Sequence, residues 1–171
     1  MDGGVGMKKI LDFLELHLNA VIFITLFMSM VVQVFMRYVL DMPSPFLHEL
    51  MMYTFVWTVY LSSALAHRYR SHIRFNIIYD MLPKKVRIAI DLVFDLFVSF
   101  LLGFSFVPVL KELISYGFIE SHILKISWTY LYMVFPIFMV LVLYHNAKFV
   151  YQEIRALLKG EDIPEEEKPW D

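Results

Sequence analysis

The chain has 171 residues, 59% hydrophobic and 17% aromatic, with a formal net charge of −2 and no cysteine. Its mean hydropathy is +0.61, whereas a soluble domain is only about 45–50% apolar, so the excess points to a bilayer. The charge balance leaves no nucleic-acid footprint, and the missing thiols exclude disulfides, Cys-ligated zinc, Fe–S clusters and thiol redox chemistry.

The chain opens with Met7 to His17, where Ile10, Leu11 and Leu14 alternate with Lys8, Asp12 and Glu15. This predicts a short amphipathic lead-in lying along a membrane surface. The first span runs from Leu18 to Met36 without a charge. It is longer than the roughly 7–15 residues of a signal-peptide core. Arg37-Tyr38 follows it rather than a small-residue cleavage site, so it reads as a retained transmembrane helix.

After a short turn, Ser44 stands as a helix N-cap and Pro45 as a first-turn residue. The second span is predicted from Phe46 to Ala66, with Glu49 in its first turn. A basic stretch with Arg68, Arg70, His72 and Arg74 leads to Pro83. The third helix is predicted from Lys84 to about Tyr116. At ~1.5 Å per residue it measures about 49 Å against a hydrocarbon core of ~30 Å, so it must tilt or project. The fourth span is predicted from Ile126 to Tyr144, continuing helically to about Lys159, with a kink at Pro136. Trp128 and Tyr130 mark its interfacial start. Residues 161–171 are acidic, contain two prolines and read as a disordered tail.

Basic residues concentrate before span one (Lys8, Lys9), between spans two and three, and after span four (Lys148, Arg155, Lys159). The positive-inside rule places these segments in the cytoplasm. The expected fold is therefore an all-α integral membrane protein with four transmembrane helices. Residues 1–160 form one membrane domain with both termini cytoplasmic.

Asp91 and Asp95 follow Arg87 at four-residue steps and share a helix face. A carboxylate in a bilayer is a functional suspect, although pairing of Asp91 with Arg87 and packing of Asp95 against another helix explain both. Arg37 and Glu49 flank the outer turn, and a charge-assisted pair between them would clamp span one to span two. His17, His67 and His145 lie near the inner span ends, which raises a haem-binding anchor of a respiratory oxidoreductase as the alternative reading. His48 and His67 are ~28 Å apart along one helix and cannot share a haem. Ser29, Thr54, Ser62, Ser63, Ser99 and Ser105 suit interhelical packing and hydrogen bonding. No HExxH pattern or Walker loop occurs, so no catalytic residue, metal site or cofactor is expected.

Arg37-Tyr38, Pro45 with an aromatic next, Glu49, Trp57, His72-Ile73-Arg74, Asp80 and Leu82-Pro83 occur in one order and spacing. Together they resemble the small membrane (Q) subunit of the TRAP, or tripartite ATP-independent periplasmic, transporters. Phe46 stands where that family usually has Trp, and His48 replaces the first of its paired acids. The resemblance implies a non-catalytic scaffold in the bacterial inner membrane. Its implied partners are a large membrane subunit in an obligate heterodimer and a periplasmic solute-binding protein. The implied transport is sodium-driven uptake of carboxylate-bearing solutes. Arg37, Phe46, Glu49 and Trp57 are then expected to fix the outer half of the helix pair or touch the large subunit. Arg68, Arg70, His72 and Arg74 are expected to hold the inner loop at lipid headgroups or against that partner.

Overall fold

The computed structural model describes residues 13–69 and 82–159. The expectations for Arg70, His72 and Arg74, for most of the lead-in and for residues 161–171 lie outside the described residues. Among the described residues the elements are helical, apart from one isolated antiparallel bridge between Glu120 and Ser127.

A π-helical turn, Phe13–Leu18, runs into helix α1, Asn19–Tyr38. The apolar run predicts that helix because a bilayer offers its backbone no other hydrogen-bond partners. Its end is built locally. The Val39 N–H reaches the Phe35 carbonyl at 2.9 Å, and the Met42 N–H reaches the Met36 carbonyl at 3.0 Å. Between them Asp41 takes a left-handed backbone, φ 52°, which Asp tolerates better than most residues. The Ser44 N–H then donates to Gln33 Oε1 at 3.3 Å, tying the turn back to α1.

Helix α2, Pro45–Arg68, starts as the proline predicts, with the Ser44 carbonyl accepting from the His48 N–H. Helix α3, Lys84–Ser115, has 32 residues and continues through Pro108. A 3-10 turn, Tyr116–Phe118, follows it. Helix α4, Trp128–Tyr132, and helix α5, Val134–Lys159, are separated at Met133. Pro136 explains the break, since its missing N–H leaves the Tyr132 carbonyl without a helical donor. The neighbouring Ile137 N–H to Met133 carbonyl bond stretches to 3.4 Å.

Among the described residues, three stretches are long and apolar enough to cross a membrane: Glu15–Tyr38, Lys85–Phe118 and Trp128–Leu158. Four were expected from sequence. Helix α2 has sufficient length at 24 residues, but Tyr53, Thr54, Trp57, Thr58, Tyr60, Ser62 and Ser63 dilute its apolar character.

Backbone contacts group the chain into two compact units, residues 1–65 with 110–138 and residues 66–109 with 139–171. In the first unit Leu61, Ala64, Leu131 and Val134 are buried, and Tyr60 packs against the rings of Phe135 and Phe138. In the second, Ile88, Met139, Leu141, Val142, Phe149 and Ala156 are buried. Gly103 has open space beside it, so no close helix approach depends on it.

Candidate functional site: a carboxylate latch and an asparagine hub

Glu49, Tyr53 and Trp57 recur at four-residue steps and so share one side of α2. Each reaches the connection that precedes α5 or the turn of helix at its start. Both oxygens of the Glu49 carboxylate are engaged, accepting from the Ile123 N–H at 3.1 Å and the Leu124 N–H at 2.9 Å. The Tyr53 hydroxyl donates to the Ile126 carbonyl at 3.4 Å. The Trp57 indole N–H donates to the Tyr130 carbonyl at 3.0 Å. Below this row, Leu61 and Ala64 continue the side of the helix into the buried core.

The segment that Glu49 holds is a tight hairpin. The Ser121 N–H donates to the Ile126 carbonyl and the Trp128 N–H to the Ile119 carbonyl, both at 2.9 Å. Lys125 adopts φ 54° to close the turn. Ser127 caps α4 through its side chain, accepting from the Thr129 N–H at 3.2 Å. The Thr129 hydroxyl donates to the Leu113 carbonyl at 3.3 Å, joining α4 to the end of α3. An ionised carboxylate with two backbone donors forms charge-assisted bonds, stronger than neutral ones.

The pair expected between Arg37 and Glu49 does not form. Glu49 directs its carboxylate to the hairpin amides instead. Arg37 is exposed in the last turn of α1, its guanidinium 5.8 Å from the centre of the Tyr38 ring. Sequence proximity favoured the pair, but the hairpin amides already engage both carboxylate oxygens. Phe46 is exposed in the first turn of α2. Within the same unit, α1 meets α2 through the Asn19 amide, which donates to the Ser62 hydroxyl at 2.9 Å. The hydroxyls of Ser29, Thr54 and Ser63 bond back to carbonyls in their own helices.

In the second unit Asn146 is fully buried and acts as a hub. Its Nδ2 donates to the Ser99 hydroxyl at 3.2 Å and to the Asp95 carbonyl at 3.4 Å, while its Oδ1 accepts from His67 Nε2. Ser99 in turn donates to the Asp95 carbonyl at 2.7 Å. The end of α2, the middle of α3 and the middle of α5 therefore meet at one amide. Asp95 is buried, and Asp91, one helical turn earlier, is half-buried. Arg68, expected at the headgroups or against the large subunit, is buried with its guanidinium 5.3 Å from the centre of the Tyr69 ring. His145 is buried beside Tyr144. With Nε2 of His67 committed to Asn146, that nitrogen is unavailable as an axial ligand. Among the described residues no cluster of His, Cys, Asp or Glu has metal-binding geometry.

Sequence reading passed over Tyr53, Asn19 and Asn146. A signal for each was present. Tyr53 lies midway between Glu49 and Trp57 at helical spacing, and each asparagine is an amide placed in or beside an apolar helix, where it needs a partner.

No curated protein matches the chain. A family model for the DctQ component of the tripartite ATP-independent periplasmic transporters matches residues 26–156. The chain belongs to the DctQ family. The match runs from α1 to near the end of α5 and includes the latch and the hub. DctQ is a component of a tripartite transporter, so this chain is a transporter component whose partners are, in general terms, a large membrane subunit and a binding protein.

Proposed function

We propose that this DctQ-family chain is the small scaffold subunit of a sodium-coupled, binding-protein-dependent transporter in a bacterial inner membrane. It frames the large membrane subunit, which carries carboxylate-bearing solutes, and performs no chemistry itself. Four helices cross the bilayer, α2 included, with both termini cytoplasmic. The bonds from Glu49 to the 123–124 amides support that topology, because the turn before α2 and the hairpin before α5 then belong on one side of the membrane.

The observation that carries the scaffold reading is the contrast in burial among the apolar helices. The membrane windows of the first two candidate spans are 11% and 6% buried, against 44% for the last. Phe23, Phe27, Phe97, Phe100 and Phe104 stand exposed on α1 and α3, and contiguous exposed apolar surface marks lipid or a protein partner. A chain that locks its own elements with a latch and a hub, while leaving two helices uncovered, suits a rigid frame.

Affinity purification from the native membrane tests this. A stoichiometric large membrane subunit with no haem absorbance is expected. Sodium-driven solute uptake that needs both membrane subunits and the binding protein completes the test. Recovery of the chain alone, with a soluble redox enzyme, or with solute flux in liposomes holding only this chain overturns the reading.

A further inference from the structure

We infer that the hairpin of residues 119–127, held by Glu49, is a preformed anchor seated in the interfacial layer of the bilayer. This rests on the reading that the stretches Lys85–Phe118 and Trp128–Leu158 cross the membrane. The hairpin joins their adjacent ends, so its depth is confined to the membrane surface.

Two independent observations give it a lipid partner. The first is apolar exposure along the hairpin and at the residue that leads into it. Phe118 is 95% exposed, and Ile119, Ile123 and Ile126 are exposed as well. Water penalises such a cluster, whereas the boundary between headgroups and acyl chains accepts it. Tyr116, Trp128 and Tyr130 stand at the adjoining helix ends, where amphipathic aromatics settle in that layer.

The second is the state of the backbone. The N–H of Ile119 bonds to the Tyr116 carbonyl, those of Ser121 and Trp128 bond across the hairpin, and those of Ile123 and Leu124 bond to Glu49. A loop in bulk water has solvent for these groups. A loop entering a water-poor layer does not, and each unmatched group there is costly. Glu49 supplies acceptors to two successive amides at the turn, which permits Ile123 to face lipid without stranding its N–H. Glu120, His122 and Lys125, also exposed, supply the polar side that an interfacial segment keeps toward headgroups and water.

The chain has no cysteine, so single introduced cysteines in the full chain can carry an environment-sensitive fluorophore. Phe118→Cys, Ile123→Cys and the mid-helix control Phe104→Cys are labelled and reconstituted in phosphatidylcholine–phosphatidylglycerol vesicles. Quenching by a headgroup-level nitroxide lipid is compared with quenching by aqueous iodide. The expected result is blue-shifted emission at 118 and 123, quenched more strongly by the nitroxide lipid than by iodide. Adding Glu49→Leu should shift label 123 toward iodide and leave label 104 unchanged. Iodide-accessible labels at 118 and 123 beside a lipid-accessible label at 104 overturn the anchor alone. Labels at 118 and 123 shielded from both quenchers identify a protein contact and also overturn it. A label at 104 beyond the reach of lipid removes the spanning reading and the anchor with it.

Discussion

Replacing Asn146 with Leu removes the hub while keeping a side chain of the same branching and heavy-atom count. Three hydrogen bonds disappear together: the Nδ2 bonds at 3.2 and 3.4 Å and the bond from His67 to Oδ1. Interhelical hydrogen bonds in bilayers contribute about 0.6 kcal/mol on average and at most about 1.7. The two longer bonds belong near the low value and the His67 bond nearer the high one, so the loss should be about 2–3 kcal/mol. Leu leaves no cavity, and the cycle with Ser99→Ala separates the hydrogen-bond loss from any cost of its greater bulk. Reversible unfolding in bicelles, followed by the tryptophan signal, measures it. Ser99→Ala alone should cost about 0.6 kcal/mol. The double variant should depart from additivity by about 0.5 kcal/mol or more, because the residues share one network. An Asn146→Leu variant within about 0.5 kcal/mol of wild type refutes the hub, and so does simple additivity with Ser99→Ala.

Trp57→Phe deletes one N–H donor but retains an aromatic ring, so it should cost about 1 kcal/mol; an unchanged melting temperature argues against the bond to Tyr130. Asn19→Ala and Ser62→Ala should each cost about 0.6 kcal/mol. Their double variant should be little worse than either, as a double-mutant cycle will reveal. Arg37→Ala should leave the stability of the chain unchanged, whereas Arg68→Ala should lower it. The reverse order in thermal melts would mean that exposure and burial of these two arginines are misassigned.

Helix positions were readable because their determinants are local. The uncharged run ending at Arg37-Tyr38, the Pro45 start, the Lys84 start after Pro83 and the disturbance at Pro136 all carry physical signals within a few residues. The structure places the helices within about two residues of those expectations, the usual spread of helix boundaries, except that α5 begins only after the break at Met133. The latch was legible in part. Glu49 and Trp57 stood out as candidates, but their partners are backbone groups 73 to 75 residues away. Backbone donors have no residue code, so a carboxylate aimed at them resembles one awaiting an arginine. The burial of Arg68 was not legible, because a basic stretch near a membrane suggests headgroups or a partner subunit, and only tertiary packing reveals that its first arginine is buried. Asn146 had a neighbour, His145, that drew notice as a titratable group, while the neutral amide carrying the contacts did not.

The sequence separation of the latch has a consequence for how the chain is made. Glu49 accepts from residues 74 and 75 positions later. At a synthesis rate of about 5–20 residues per second, those amides are made roughly 4–15 s after the carboxylate. The contact between Asn19 and Ser62 closes after only 43 residues. In a chain made from its N-terminus, α1 and α2 thus have their mutual contact before Glu49 has its acceptor role. The carboxylate must wait near the start of α2 until the hairpin is synthesised, and a place close to that helix end is one from which it can wait hydrated.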